Sequence, residues 1–361
     1  MRRLGIYIHW PYCRSKCPYC GFFSRVQKNV EQAAIVDGYL ADLAYYRSLS
    51  NDYVVDSIFF GGGTPSLLNC KEIARIIDKI AALWPMSAQP EISLEANPNT
   101  DRAGLFSDLK NAGINRLSLG VQALNDADLK FLGRTHSVAE ALSAIDSLQQ
   151  NFADNSIDLI YARPQQTPKA WEQELRQATS LGLKHLSLYQ LSIDEGTVFA
   201  RKGVQLPDEE AAAALYRLSA EITAAAGYRQ YEISNYALSG FECRHNLGYW
   251  HGDDYVGVGN GAVGRLHYQN KLFSTTFHRQ AEEILPSERA EELLLMGLRL
   301  DEGINKARFA ENCGLPLEKV LNLKRLHAME QSGLLIDTPE ILAVTEQGKL
   351  LLDYVIEQIC L

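Results

Sequence analysis

Cys13, Cys17 and Cys20 stand together in the stretch YCRSKCPYC, directly after the apolar run LGIYIHW. Three thiols so placed suit a zinc site, with His9 the nearest fourth ligand, or a redox pair, or an iron-sulfur cluster with one iron left open. The redox pair fits least, because that motif needs C-x-x-C without a third thiol. Cys70, Cys243, Cys313 and Cys360 are scattered singly, unlike the paired framework of a small secreted protein. The clustered three are therefore expected to be reduced thiolates with a ligand or redox task.

Short β-type runs occur at LGIYIH, VDSIFF, EISLEA, NRLSLG, SIDLIY and KHLSLYQL. Segments of helical spacing, such as DGYLADLAYYRSL and SVAEALSAIDSLQQ, separate them. Such βα alternation implies a parallel sheet with helices outside, and six units fall short of the eight that close a full barrel. An open, incomplete barrel is the expected fold. Chemistry in such folds gathers at the carboxyl ends of the strands. The cysteines follow the first run, GGGTPS (61–66) follows the second, and Glu95 and Asn97 end the third. Gln122 ends the fourth, Asp158 lies in the fifth, and Tyr189 and Gln190 close the sixth. Each has a plain structural explanation alone, since glycines make turns and a strand-end Asp caps a helix. Their shared rim is harder to explain that way. The glycine run also exposes backbone to close approach, and it lacks both the dinucleotide spacing and the P-loop lysine. A ligand with an amino and a carboxylate group suits such an edge better than a phosphate does.

The 361 residues are 46% hydrophobic, enough for one large core and a smaller satellite domain. No apolar run approaches membrane-spanning length, and the N-terminus turns polar too soon for a signal peptide. A cytoplasmic protein with no transmembrane segment is expected. A net charge of −9 gives no support to nucleic-acid binding.

C-x3-C-x2-C after a first strand, with Tyr19 just before the third Cys and a glycine motif after strand two, resembles the radical S-adenosylmethionine (SAM) superfamily. In that superfamily three thiolates hold a 4Fe-4S cluster, and its fourth iron takes the amino and carboxylate groups of SAM. The blocks YIHWPYC, FFGGGTPSLL, SLEANP, RLSLGVQ, LGRTH, IDLIYARP, YEISNYA and CRHNLGYW are similar, in order, to those of the oxygen-independent coproporphyrinogen III oxidase-like proteins. The resemblance implies a partial (β/α)6 barrel and SAM contacts from Tyr7, Tyr19, Gly62, Gly63, Thr64, Glu95, Gln122, Arg134 and Asp158. One block departs from the family: a loop usually similar to GLPGQT is ARPQQT here, with Ala162, Arg163 and Gln165 in place of residues that allow a tighter turn.

Two activities fit this family, propionate decarboxylation of coproporphyrinogen III and heme delivery by chaperones of the HemW type. The decarboxylating enzymes resemble C-x3-C-x2-C-x-C, whereas Phe22 stands at the last position here, and they carry an N-terminal extension that this chain does not show before its first strand. HNLGYW (245–250) resembles the H-N-x-x-Y-W motif of the chaperones, which implies His245 as an axial heme ligand flanked by Tyr249 and Trp250, with Cys243 as rival. A heme-accepting client and an electron donor are then implied partners. The barrel with the heme motif is expected over 1–285 and a winged-helix-like α+β domain over 286–361. In that domain 8 Lys and Arg stand against 13 Asp and Glu, so a lid or docking role fits better than DNA binding.

Overall fold

In the computed structural model, which describes residues 1–100 and 104–360, each of the six apolar runs forms a strand of one sheet. They are β1 (Arg2–Trp10), β2 (Tyr53–Gly62), β3 (Met86–Ala96), β4 (Arg116–Gln122), β5 (Asp154–Tyr161) and β6 (His185–Gln190). Each pairs in parallel with the next. Between them run helices α1 (Gln32–Leu49), α2 (Cys70–Leu83), α3 (Leu105–Asn111), α4 (Asp126–Phe131), α5 (Val138–Asn151) and α6 (Pro168–Ser180). After β6 come α7 (Val198–Arg201), α8 (Glu209–Ala225) and α9 (Arg244–Trp250).

Period-two patterning builds the sheet. In β1, Leu4, Ile6, Ile8 and Trp10 are buried in a core shared with Val36, Tyr39 and Leu43 of α1, and Gly5, Tyr7 and His9 alternate with them. Local chemistry starts the helices: Asn69 accepts from Lys71 N ahead of α2, Ser137 and Glu140 form a capping box on α5, and Thr167 with Pro168 opens α6.

The sheet is larger than the six units. Beyond β6 lie β7 (Arg229–Glu232) and β8 (Asn235–Ala237). Beyond β1 lie β9 (Asp254–Val258), β10 (Val263–Tyr268), β11 (Lys271–Thr276) and β12 (Gln280–Ile284). Its order is β12-β11-β10-β9-β1-β2-β3-β4-β5-β6-β8-β7, so the barrel stays open. β9 is a seventh parallel strand, in register from Leu4 opposite Asp254 to Ile8 opposite Val258. The sequence hid it because the strand is only five residues long and the helix leading into it, α9, only seven.

The C-terminal residues form their own core around Leu294, Leu298, Phe309, Leu342 and Val355. Helices Pro286–Gly297, Lys306–Cys313 and Leu323–Gln331 precede antiparallel strands Leu335–Asp337 and Ile341–Val344, and Leu352–Ile359 closes the chain. A third strand, Ile304–Asn305, was too short to leave a periodic signal. The module does not cover the cysteine rim, so the lid expectation is corrected. Arg289 donates to Gly252 O at 2.7 Å, Asn312 to His251 O at 2.9 Å, and the buried Lys349 to Gln230 at 3.3 Å. These contacts hold it beneath α9 and β7, at the amino ends of the strands.

Candidate functional site

The cysteine loop is pinned to the glycine loop by backbone. Gly63 N donates to Trp10 O at 2.8 Å and Thr64 N to Tyr12 O at 3.0 Å, while Cys20 N closes a turn on Cys17 O at 3.1 Å. Glycine is required at two of these positions. A Cβ on Gly62, where φ is +111°, would lie 2.7 Å from the His9 ring; one on Gly63 would lie 2.8 Å from Pro11 C and 3.0 Å from Cys13 Sγ. A cavity of about 320 Å³ opens over these loops, lined by all three cysteines. Tyr19, Gly62, Gly63, Thr64, Glu95, Gln122, Arg134 and Asp158 line it as well.

Arg134 ties the rim together. Its guanidinium donates to Cys17 Sγ at 3.4 Å, to Gly120 O at 2.9 Å and to Asn97 Oδ1, and Asn97 Nδ2 donates to Thr64 Oγ1 at 3.2 Å. Glu95 accepts from Gly62 N at 3.2 Å, and Asp158 accepts from Ser118 Oγ at 2.8 Å. Burial and the nearby Asp158 charge push Glu95 up to about 8, and burial raises Asp158 too. Burial likewise raises the Cys20 thiol and the Tyr19 phenol. Both His9 nitrogens are engaged, by Tyr7 OH and Phe23 O at 2.9 Å each, which removes His9 as a fourth zinc ligand. Three cysteines on one cavity, with a guanidinium on the Cys17 sulfur, are the donor set that a cluster with one open iron needs, while among the described residues no three such side chains are grouped as a preformed metal site.

Tyr7 and His245 are placed elsewhere. They face a second chamber of about 420 Å³, deeper in the barrel, which shares Glu95, Asp158 and Tyr189 with the first. The short α9 forms its floor. Glu91 accepts from Arg244 N at 2.8 Å, His245 N at 3.1 Å and Cys243 Sγ at 3.3 Å, so a barrel carboxylate caps this helix. His245 Nδ1 bonds Ser57 Oγ at 2.8 Å, its ring stacks on Phe59 at 5.1 Å, and burial pushes it down to about 4. Nε2 has no hydrogen-bond partner among the described residues. Tyr249, one turn on, shares the chamber. Trp250 points away, under Arg299 at 5.2 Å, so it does not flank His245 as the motif suggested. Glu91, Ser57 and Arg116 escaped the sequence reading because each lies in a strand that carries other polar residues too, so none stood out.

The departing loop holds its fold without glycine. Ala162 and Gln165 both adopt the left-handed region, with φ of 56° and 62°. Arg163 is 2% exposed and forms a two-point ion pair with Glu174, which also accepts from Leu124 N at 2.7 Å.

The radical SAM superfamily profile matches residues 7–178, and the HemN C-terminal domain profile matches residues 284–351. The chain is 36% identical to the heme chaperone HemW of Haemophilus influenzae, covering 98% of this chain and 97% of that protein. It is 35% identical to the HemW of Bacillus subtilis, over 96% of both. This chain belongs to the HemW-like family of radical SAM proteins. A mitochondrial radical SAM domain-containing protein 1 from Bos taurus is 34% identical over 98% of this chain and 83% of its own. Among solved structures, Escherichia coli HemN, a coproporphyrinogen III oxidase, superposes with a TM-score of 0.82 at 20% identity, over 99% of this chain and 89% of that one. At that identity the likeness shows the fold alone, and the HemW-like fold is thus a HemN-like barrel with a C-terminal domain. Among the described residues no helix is long and apolar enough to cross a membrane.

Proposed function

We propose that this chain is a heme chaperone that holds a 4Fe-4S cluster through Cys13, Cys17 and Cys20, SAM in the cavity above them, and heme for delivery to a client protein. One observation carries the choice of chaperone over oxidase: the relatives matched along their whole length at 35 to 36% identity are named heme chaperones, whereas the oxidase matches at 20%. Phe22, at the position of the oxidases' further cysteine, agrees with it. When bound, the cluster supplies an electron and an open iron site for the amino and carboxylate groups of SAM. Glu95 would accept the ribose hydroxyls, Tyr19 would offer an apolar face to adenine, and Arg134 would hold the loop through Cys17 and Asn97. The backbone edge at Gly62 to Thr64 would face the methionine moiety. For heme, His245 Nε2 is the nitrogen left for an axial bond, since Ser57 occupies Nδ1.

The test is to load the chain with cluster and heme anaerobically, then offer apo heme protein as recipient in one arm and coproporphyrinogen III with SAM and a strong reductant in the other. Heme should move to the recipient, and no protoporphyrinogen should form. Robust formation of protoporphyrinogen would make the chain an oxidase.

A further inference from the structure

Arg116 is a buried cation whose partners are incomplete. It opens β4 opposite Ser93, one inward layer below Ser118 and Glu95, and it is 2% exposed. Among the described residues its Nε and Nη2 have no hydrogen-bond partner: Nε lies 3.3 Å from Asp154 Oδ1 without forming a hydrogen bond. Glu91, on the neighbouring strand, spends its oxygens elsewhere. They accept from Ser93 Oγ at 3.1 Å and from Cys243, Arg244 and His245 at the start of α9. Arg116 is also the one Arg or Lys among the described residues that line the second chamber. Much of the remaining lining is aromatic, with Phe59 and Tyr7 stacked on the His245 ring at 5.1 and 6.4 Å. Buried guanidinium donors left without acceptors cost free energy, which a ligand acceptor in the chamber would recover.

We propose that Arg116 is the carboxylate anchor of the second chamber and takes one propionate of the heme. The inference rests on the heme reading above and adds to it the group that fixes the heme's orientation. Nε and Nη2 share one edge of the guanidinium, the edge that receives a carboxylate through two parallel N–H bonds. Asp154 is the rival acceptor, but it is partly exposed at the outer end of the barrel, and burial pushes it up to about 6. Glu95 and Asp158 line the chamber toward the rim. They steer the negative end of a ligand away from themselves and down to Arg116. The aromatic side chains then face the macrocycle, and His245 Nε2 its iron.

The experiment titrates the full chain with ferric heme and its dimethyl ester, and with metal-free protoporphyrin IX and its dimethyl ester, all in the same neutral detergent. Absorbance reads the first pair and fluorescence the second, for the wild type, Arg116→Lys and Arg116→Met. The wild type should bind each free acid at least about tenfold more tightly than its ester. Arg116→Met should bind acid and ester alike. Arg116→Lys keeps the charge and loses the fork, so its ratio should fall between the two. His245→Ala should change the heme spectrum yet keep the acid-to-ester ratio for the metal-free porphyrin. If Arg116 only supported the fold, its variants would weaken acid and ester together and keep the wild-type ratio, which would overturn the proposal. Equal affinity of the wild type for acid and ester would overturn it too, while the heme reading would stand. Should Arg116→Met fail to fold, the wild-type and Arg116→Lys ratios still decide. A wild-type chain that binds none of the four compounds would sink the heme reading, and the anchor with it.

Discussion

Replacing Arg163 by Met should destabilise the chain far more than an ordinary surface change. Arg163 is 2% exposed and Glu174 8%. The guanidinium meets both carboxylate oxygens, one at 3.1 Å, and Asp128 stands 3.4 Å from it. Removing the arginine leaves a buried carboxylate with Leu124 N at 2.7 Å and Gln166 Nε2 at 3.4 Å. Breaking such a pair from one side costs about 3 to 5 kcal/mol, and 4 kcal/mol is roughly a thousandfold in the unfolding constant. Removing both partners, Arg163→Met with Glu174→Met, removes the unpaired charge and leaves mainly the orphaned Leu124 N–H, at about 1 to 3 kcal/mol. The double variant should therefore be more stable than Arg163→Met alone. Urea unfolding of the four proteins of this cycle measures the coupling. A single-variant cost under about 1 kcal/mol, or costs that simply add, would refute the view that this pair clamps the loops after β4 and β5.

Gln165→Gly should stabilise slightly, by about 0.5 kcal/mol, because the strain of a left-handed residue exceeds the entropy glycine adds to the unfolded chain; urea midpoints check it. Cys13→Ser, Cys17→Ser or Cys20→Ser should each abolish anaerobic iron and sulfide uptake, which Cys70→Ser and Cys360→Ser should retain. SAM affinity should strengthen as pH rises from about 6.5 toward 8.5 and then level off, since Glu95 is largely protonated below its raised value of about 8 and the sulfonium favours its ionised form. Calorimetry of Glu95→Gln should show that slope reduced by one proton. His245→Ala should shift the Soret band and loosen heme, whereas Cys243→Ala should leave the spectrum intact, because the Cys243 thiol is buried, raised by burial and already donates to Glu91. The reverse outcome would make thiolate the ligand.

The strands and the rim were legible because period-two patterning and special residues after each strand are local signals. Cys13, Gly62, Glu95 and Gln122 sit at or just past successive strand ends and Asp158 lies within the next strand, so topology gathers them. Arg134 is different: it lies before α5, and only its reach to Gly120 O and Cys17 brings it to the rim. The resemblance supplied it. β9 and α9 were less legible because their places depend on long-range packing, with Glu91 meeting a helix that begins at Arg244. The departure at ARPQQT was visible in the sequence. That buried Arg163 compensates for missing glycines could be seen only once Glu174 was placed beside it.

The two chambers follow from what fills the barrel. A closed eight-stranded barrel is packed with branched apolar side chains, but here one face of the sheet carries Ser57, Glu91, Ser93, Arg116, Ser118, Ser156 and Ser187, most of them small and polar. Small residues leave space, and polar ones need partners inside it. Glu91 finds its partners in the N–H groups of α9, which draws this helix into the amino end of the barrel and sets His245 on Ser57. The same packing leaves Glu95, Asp158 and Tyr189 as a shared wall. A ligand that ionises Glu95 from the rim side therefore changes the charge facing the His245 side, and any such coupling must act equally in both directions. A barrel packed with leucine and valine would have neither the wall nor the second chamber, so the polar interior is what allows one fold to bring a cysteine-loop site and a remote histidine motif into a single electrostatic unit.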